Sequence, residues 1–165
     1  MNPIFFLLLI PAAAVAWLFW TETKGAGWQP APASAIKSAL KLARVERGDT
    51  LYDLGAGDGR VLIAAAKAGA RAIGIELDPL RYLICRLRLA RTKNAHAIRG
   101  DIFDVPLSDA TVVFIYLRDW STERLKRKFA TLKRGTRIVT YYWPVKGWQP
   151  VAQDKKNEVY VYRIK

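Results

Sequence analysis

The fold of this 165-residue chain is decided by the stretch Asp53-Leu54-Gly55-Ala56-Gly57-Asp58-Gly59-Arg60. Apolar runs at 50–52 and 61–66 flank it, and they predict a short buried strand before the glycines and a helix after them. The glycines therefore lie in a strand-to-helix turn, where the absence of Cβ atoms lets the backbone approach a ligand closely. Free N–H groups at the start of the helix face the same place. The stretch thus predicts a ligand-binding turn.

A second strand that ends in acids supports a nucleotide site. The run Gly74-Ile75-Glu76-Leu77-Asp78 follows about 20 residues after the turn, where a carboxylate can bind ribose hydroxyls. The turn reads G-x-G-x-G rather than the G-x-G-x-x-G of dinucleotide sites. Asp53 and Asp58 also add carboxylates that would repel a pyrophosphate. A cationic or zwitterionic ligand fits these charges better.

The rest of the chain alternates between predicted helices and strands. Ser34 is predicted to cap a helix that runs to about Arg44, and Asp78 to cap another that starts at Pro79. Further helices are predicted at 61–67 and from Ser121, and strands at 72–75, 96–98, 110–117, 136–142 and 159–164, with a short strand before the last. We therefore predict an α/β fold with a mostly parallel seven-stranded sheet and helices on both faces. Ligands in such sheets bind at the carboxyl ends of the strands, where the chain places Asp53, Glu76, Asp101, Tyr116 and Tyr141.

The helix after Pro79 has apolar residues at helical spacing: Leu80, Leu83, Ile84 and Leu87. Arginines occupy its other faces. Cys85 lies among the apolar residues, so a buried, inert thiol is predicted. A single cysteine excludes an internal disulfide, and with the lone His96 it predicts neither a metal site nor a nucleophile–base pair.

The first twenty residues differ from the rest. No charged residue occurs between Pro3 and Trp20, a span just long enough for a transmembrane helix, and Trp17 and Trp20 cluster at one end. We predict a transmembrane anchor at 1–20, a linker at 21–32 and one domain at 33–165; a signal peptide and an interfacial or protein-packing helix are the alternatives. Because the basic residues follow the span, the N-terminus is predicted outside and the domain in the cytoplasm, as in a single-pass membrane protein.

The charge balance favours anionic partners. The formal net charge is +13 and the sequence pI is about 10.1. Nucleic acid, an acidic membrane surface and acidic protein all fit such a charge. Anionic lipid headgroups explain it as well as RNA does.

The glycine turn resembles motif I of the class I S-adenosylmethionine-dependent methyltransferases. Glu76 resembles their ribose-binding acid, and Gly100-Asp101-Ile102-Phe103 their adenine-binding segment. The resemblance implies a Rossmann-like fold and S-adenosyl-L-methionine as the cofactor. The residues that it assigns to the cofactor are Asp53, Gly55, Ala56, Gly57, Gly59, Glu76, Leu77, Asp101 and Ile102.

A narrower resemblance extends from about Trp28 to Pro150. The segments Leu132-Lys133-Arg134-Gly135-Thr136-Arg137-Ile138-Val139 and Gly147-Trp148-Gln149-Pro150, together with motif I, are similar to membrane-anchored protein lysine methyltransferases and to a small archaeal protein lysine methyltransferase. The first group includes enzymes for the ATP synthase c-subunit and the adenine nucleotide translocase. One difference is Tyr141-Tyr142-Trp143, where members more often carry Ser-His-aromatic.

This resemblance implies methyl transfer to a protein lysine amine. Tyr116 and Tyr141 are the predicted catalytic residues, and an aromatic pocket is expected to favour the neutral amine by desolvation. Two other functions stay open: a methyltransferase for a lipid, quinone or other small molecule at the membrane, and a non-catalytic nucleotide- or RNA-binding module. The Asn-Pro-Pro-Tyr signature of many nucleobase-amine methyltransferases is absent after the fourth strand. Candidate walls of the pocket are Tyr116, Trp120, Tyr141, Trp143 and Trp148.

Overall fold

A computed structural model describes residues 29–165. Four helices and seven strands alternate along this part of the chain. In order they are α1 (Ala33–Leu42), β1 (Thr50–Leu54), α2 (Arg60–Lys67), β2 (Arg71–Glu76), α3 (Pro79–Leu89), β3 (Ala95–Arg99), β4 (Val112–Ile115), α4 (Asp119–Phe129), β5 (Arg137–Tyr141), β6 (Ala152–Asp154) and β7 (Val159–Arg163).

The seven strands form one sheet in the order β3-β2-β1-β4-β5-β7-β6. The first five strands along the chain are parallel, whereas β7 runs antiparallel to both β5 and β6. The order reverses between β1 and β4, which is where open parallel sheets bind ligands. The predicted mostly parallel seven-stranded sheet is confirmed.

Helices cover both faces of the sheet, as predicted. One face packs against α1, α2 and the inner side of α3, with Leu62, Ala65 and Cys85 buried there. The other face packs against α4 through Leu125 and Phe129, and against the segment 102–107. Both faces of the central strands β1 and β4 are therefore buried, as is usual for the strands of a parallel sheet.

Close packing of α2 on β2 explains a glycine in the middle of a buried strand. A Cβ atom on Gly74 would lie 2.5 Å from Leu62 Cδ1 and 2.6 Å from Ala56 Cβ. Only glycine at position 74 lets α2 and the glycine turn pack this close to β2. The strand ends next to the turn are thereby held in fixed positions.

Most predicted element boundaries lie within a few residues of those observed, but two helix starts are wrong. Ser34 lies inside the first turn of α1, whose N-cap is Pro32 without a side-chain hydrogen bond. Helix α4 begins at Asp119, two residues before the predicted start at Ser121. By contrast, Asp78 caps α3 with Pro79 at the first helical position, as predicted.

Helix α3 buries a different face from the one its leucines suggest. Cys85 and Leu89 point into the core, so the predicted buried thiol is confirmed, and burial raises the pKa of the Cys85 thiol to about 12. The stripe formed by Leu80, Leu83, Ile84 and Leu87 is exposed.

The predicted anchor at 1–20, and most of the predicted linker at 21–32, lie outside the described residues. None of the helices between residues 29 and 165 has both the length and the apolar character needed to span a membrane.

Candidate active site

The glycine turn joins β1 to α2 at the sheet's carboxyl edge. The N–H groups of Gly55 and Ala56 both donate to the carbonyl oxygen of Ile75, at 2.9 and 3.0 Å, which fixes the turn against the end of β2. Gly59, which precedes α2, has a φ of 79°, and a Cβ atom there would lie 2.8 Å from the Cys85 sulfur. The conformation and the packing therefore both require glycine at 59.

Glu76 connects the turn to the start of α3. Its carboxylate accepts the N–H of Gly57 at 2.8 Å and that of Asp78 at 3.0 Å. Burial raises the pKa of Glu76, while these two backbone donors act in the opposite direction. The carboxylate is thus oriented by the backbone before any ligand arrives.

Asp53 is a buried acid without a compensating cation. It lies in β1 beside Gly74 of β2, and no ion pair reaches it from residues 29–165. Burial, followed by the negative charges of Glu76 and Asp58, raises the pKa of Asp53 to about 8. A positively charged ligand would supply the missing countercharge.

Asp58, also in the turn, is already neutralised. Arg60 donates to both of its carboxylate oxygens at 2.9 Å, and Arg88 of α3 pairs with Oδ2. These hydrogen bonds and charges lower the pKa of Asp58. Asp58 therefore links the turn to α3, and the two arginines balance its negative charge.

The segment 29–32 crosses the carboxyl edge of the sheet. Arg60 Nη1 donates to the Ala31 carbonyl at 3.2 Å, and the Tyr116 hydroxyl donates to Gln29 Oε1 at 2.9 Å. This segment therefore runs between the glycine turn and the end of β4. No periodicity in residues 29–32 predicts these contacts.

A cavity of about 460 Å³ opens beside that segment. It adjoins the end of β4 and the start of α4, next to the reversal point of the sheet. Its wall combines aromatic residues with one acidic and one basic residue. The lining residues are Gln29, Tyr116, Leu117, Arg118, Asp119, Trp120 and Trp143.

The two predicted catalytic tyrosines are in contact. Their ring centroids lie 4.5 Å apart in an edge-to-face arrangement, and Tyr141 continues the aromatic row to Tyr142 and Trp143. Burial is the largest cause of the raised pKa of both Tyr116 and Tyr141. Both phenols are therefore protonated at neutral pH. Tyr116 lines the cavity, whereas Tyr141 packs behind it.

The predicted adenine segment forms a turn after β3. Asp101 Oδ1 accepts the N–H of Phe103 at 2.9 Å, and Lys128 of α4 donates to the carbonyls of Ile102 and Phe103 at 2.8 and 2.9 Å. The Arg124 guanidinium lies 3.8 Å from the centroid of the Phe103 ring. Two basic residues of α4 therefore fix the shape of this turn, a role that sequence spacing does not reveal.

The structure brings the predicted cofactor residues to neighbouring strand ends. The ends of β1, β2 and β3 carry the glycine turn, the Glu76–Leu77 pair and the Asp101–Ile102 pair respectively. Their contacts with the cofactor stay a prediction. Trp148 is not part of the cavity wall, because its ring packs in the core against Phe129 and Tyr162.

Comparison with known proteins gives a consistent match. The model of the ANTKMT methyltransferase domain matches residues 53–152. A protein-lysine N-methyltransferase from Saccharolobus islandicus is 36% identical over 147 residues, which cover 82% of this chain and 91% of that protein. The adenine nucleotide translocase lysine N-methyltransferase of Mus musculus is 35% identical over 81% of this chain. The aligned part makes up 61% of the mouse protein, less than two thirds of its length.

A solved structure resembles the described fold closely. The crystal structure of an RNA methyltransferase from Salinibacter ruber in complex with S-adenosyl-L-homocysteine has a TM-score of 0.79 and 34% identity. The alignment covers 82% of this chain and 94% of that one. The S-adenosyl-L-homocysteine in that structure supports S-adenosyl-L-methionine as the cofactor of this fold.

Proposed function

Because the chain belongs to the ANTKMT methyltransferase domain family and is an S-adenosylmethionine-dependent methyltransferase, we propose that it methylates the ε-amine of a protein lysine. The observation that carries this proposal is the cavity between β4 and α4. Two tryptophans and Tyr116 line a space whose wall also includes Asp119 and Arg118. Aromatic faces and a carboxylate together attract a long, positively charged side chain.

The cofactor fits the residues at the adjoining strand ends. Asp53 is a buried acid that lacks a cation within residues 29–165, which suits a ligand with a positive charge. Glu76 is held by two backbone N–H groups in a position to accept hydrogen bonds from ribose hydroxyls. When bound, S-adenosylmethionine supplies a methyl group on a positively charged sulfur.

Tyr116 is suited to orient the acceptor amine rather than to remove its proton. Its hydroxyl hydrogen is used by Gln29, so its oxygen lone pairs are free to accept an N–H of the substrate. The raised pKa of the phenol excludes a phenolate base at neutral pH. The lysine proton therefore leaves to water, and the apolar walls favour the neutral amine. Alignment of the amine with the methyl group is the main task left to the protein.

The test is to find the labelled acceptor. Membranes from cells that lack the enzyme are incubated with the full chain and cofactor carrying a radioactive methyl group, then separated into protein, lipid and RNA fractions. The label is expected in protein and, after hydrolysis, in methylated lysine. Label in the lipid or small-molecule fraction would favour that alternative, and label in RNA would agree with the Salinibacter relative. The same membranes incubated with the labelled cofactor but without the enzyme serve as the control.

We also propose that residues 1–20 tether the enzyme to a membrane as a single span with the catalytic domain in the cytoplasm. The support is the uncharged run from Pro3 to Trp20 and the basic residues that follow it. Removal of residues 1–20 is expected to shift the protein from the membrane pellet to the supernatant while cofactor affinity is kept. If the shortened chain is insoluble or no longer binds the cofactor, this segment belongs to the fold instead.

A further inference from the structure

Helix α3 has two apolar faces, of which only one is buried. Cys85 and Leu89 face the core, whereas the outer face presents Leu80, Leu83, Ile84 and Leu87 with 56, 49, 38 and 67% of their surface exposed. Positions i, i+3, i+4 and i+7 lie in one line along a helix, so these four side chains form a continuous stripe. We call it the outer stripe of α3. An exposed apolar stripe of this kind marks an interaction surface.

Arginines border the outer stripe on both sides. At 100° per residue, Arg86 lies along one border and Arg91 follows just beyond the helix end, while Arg81 and Arg88 on the other border pair with Asp78 and Asp58. Arg86 lies over the Tyr82 ring, 5.8 Å from its centroid. Residues 79–99 contain six lysines and arginines and no aspartate or glutamate: Arg81, Arg86, Arg88, Arg91, Lys93 and Arg99.

We propose that the outer stripe of α3 docks on an anionic lipid bilayer. Leucine and isoleucine side chains would enter the boundary between headgroups and acyl chains, and the guanidinium groups of Arg86 and Arg91 would reach the lipid phosphates. The charge pattern favours this occupant over a second copy of the chain, since two such basic surfaces repel each other. It also favours lipid over the chain's own residues 3–20, which contain no charge to pair with the arginines.

Docking through α3 fixes how the active site faces the membrane. The helix begins beside Glu76 at the carboxyl edge of the sheet and runs back along the β2–β3 side. With α3 flat on the bilayer, the strands lie roughly parallel to the membrane plane. The carboxyl edge and its cavity then open sideways along the surface, where segments of membrane proteins emerge. This surface does not depend on the acceptor being a lysine.

The test uses the full chain in liposomes with an environment-sensitive fluorophore on Leu87→Cys. Cys85 is buried with a raised thiol pKa, so it stays unlabelled. In bilayers that contain phosphatidylserine, spin-labelled lipids are expected to quench this fluorophore several-fold more than a fluorophore on the matched control Lys133→Cys. Lys133 is exposed just beyond α4, on the other face of the sheet. Leu83→Cys provides a second labelling position on the stripe.

The charge requirement is tested on the same samples. Arg86→Gln combined with Arg91→Gln is expected to reduce the quenching at position 87 several-fold while the thermal midpoint is unchanged. Equal quenching at 87 and 133, or quenching that is the same in neutral and anionic bilayers, would overturn the proposal. Blue-shifted emission that lipid spin labels do not quench would show that protein covers the stripe, and would overturn it too. Dependence of that shift on dilution would then separate a second copy from the chain's own segment.

Discussion

Buried acids at the amino edge and at the carboxyl edge of the sheet have different hydrogen-bond and ion-pair partners. At the amino edge, Asp49 lies just before β1 and is surrounded by donors. Arg137 at the start of β5 pairs with its Oδ1, the Thr111 hydroxyl donates to the same oxygen at 2.7 Å, and the Glu46 N–H donates to Oδ2 at 3.0 Å. The same arginine also reaches the carbonyls of Ala43 and Arg44 at the end of α1. This edge ties three segments together.

At the carboxyl edge, Asp58 is paired with Arg60 and Arg88, but Asp53 and Glu76 form no ion pair within residues 29–165. Asp53 has no ion pair with residues 29–165, and burial together with the charge of Glu76 raises its pKa to about 8. Within residues 29–165, Glu76 accepts hydrogen bonds from two backbone N–H groups and from no side chain. A buried carboxylate without a cation destabilises a fold, and Asp53 lacks the arginine partner that Asp49 has. This difference indicates that the amino edge stabilises the domain and that the carboxyl edge is suited to bind a positively charged ligand.

The largest expected effect concerns the amino edge. Arg137→Met keeps the apolar stem but leaves Asp49 without its cation, which should lower the free energy of unfolding by about 3–5 kcal/mol. Chemical denaturation measures this loss. Arg71→Met is the matched control, because its pair with Asp109 lies at the same edge but is about half exposed, and its loss should cost less than about 1 kcal/mol. Similar losses in the two variants would show that the Asp49 cluster has no special role.

Glu76→Ala tests the carboxyl edge. Removal of the carboxylate should weaken S-adenosylmethionine binding by about 1–3 kcal/mol, because charge-assisted hydrogen bonds to ribose are lost. Calorimetry with the cofactor and with its homocysteine product measures both affinities. Glu76→Gln is informative beside it, since its amide oxygen can still accept the Gly57 N–H. Unchanged affinity in the folded Glu76→Ala protein would remove this residue from the site.

Tyr116 tests the acceptor cavity at the same edge. If the hydroxyl orients the amine, Tyr116→Phe should lower the methyl-transfer rate about 10- to 100-fold and leave cofactor affinity intact. If only the ring matters, Phe should be nearly neutral and Ala damaging. Normal rates in both variants, or loss of cofactor binding in both, would show that Trp120 or Trp143 is the better candidate.

Asp53 should make the affinity for the cofactor depend on pH. Below its pKa of about 8 the carboxyl group is protonated, so binding of a cationic cofactor must displace a proton. Cofactor affinity should therefore rise with pH between 6 and 8, by at most about tenfold per pH unit, and level off above 8. Asp53→Asn should bind more weakly and lose this dependence. Titration calorimetry at several pH values measures it, and a flat profile for the unchanged chain would contradict the assigned role.

Asp53 should affect the stability of the cofactor-free domain in the opposite direction, so that stability falls as pH rises. The folded state holds the Asp53 proton up to about pH 8, whereas the unfolded chain releases it near 4. The cofactor-free domain should therefore lose stability as pH rises between these values, and Asp53→Asn should reduce that loss. Denaturation curves at pH 5 and pH 8 test this.

Sequence patterns predicted the edges but not their finer contacts. Alternating apolar runs and the glycine turn were sufficient for the sheet and for the positions of Asp53 and Glu76, because strand ends follow directly from local periodicity. The pattern in α3 identified a helix but not its buried face, since both Cys85–Leu89 and the outer stripe are apolar. Trp148 was misplaced because its partners Phe129 and Tyr162 are distant in sequence.

Contacts between long polar side chains and distant backbone were also missed. The link from Tyr116 to Gln29 spans 87 residues, and those from Lys128 to the turn after β3 span 25 and 26. No local pattern encodes such pairs, because each depends on how two elements pack after the sheet has formed. They nevertheless shape the cavity and the predicted adenine segment.

The smallest expected effect concerns the contact between Lys128 and the turn after β3. Lys128→Met keeps the stem but removes the ammonium group that donates to the carbonyls of Ile102 and Phe103. Because the turn is only half-buried, water can replace these donors, so cofactor affinity should fall only about three- to tenfold. Lys126→Met is the matched control on the same helix, since its ammonium group contacts Glu123 and the Lys146 carbonyl instead. Hydrogen exchange should rise at 101–105 in the Lys128 variant alone. If both variants change affinity equally, or if exchange at 101–105 is unaltered, then the charges of α4 do not hold this turn, and the preorganised part of the carboxyl edge ends at Glu76.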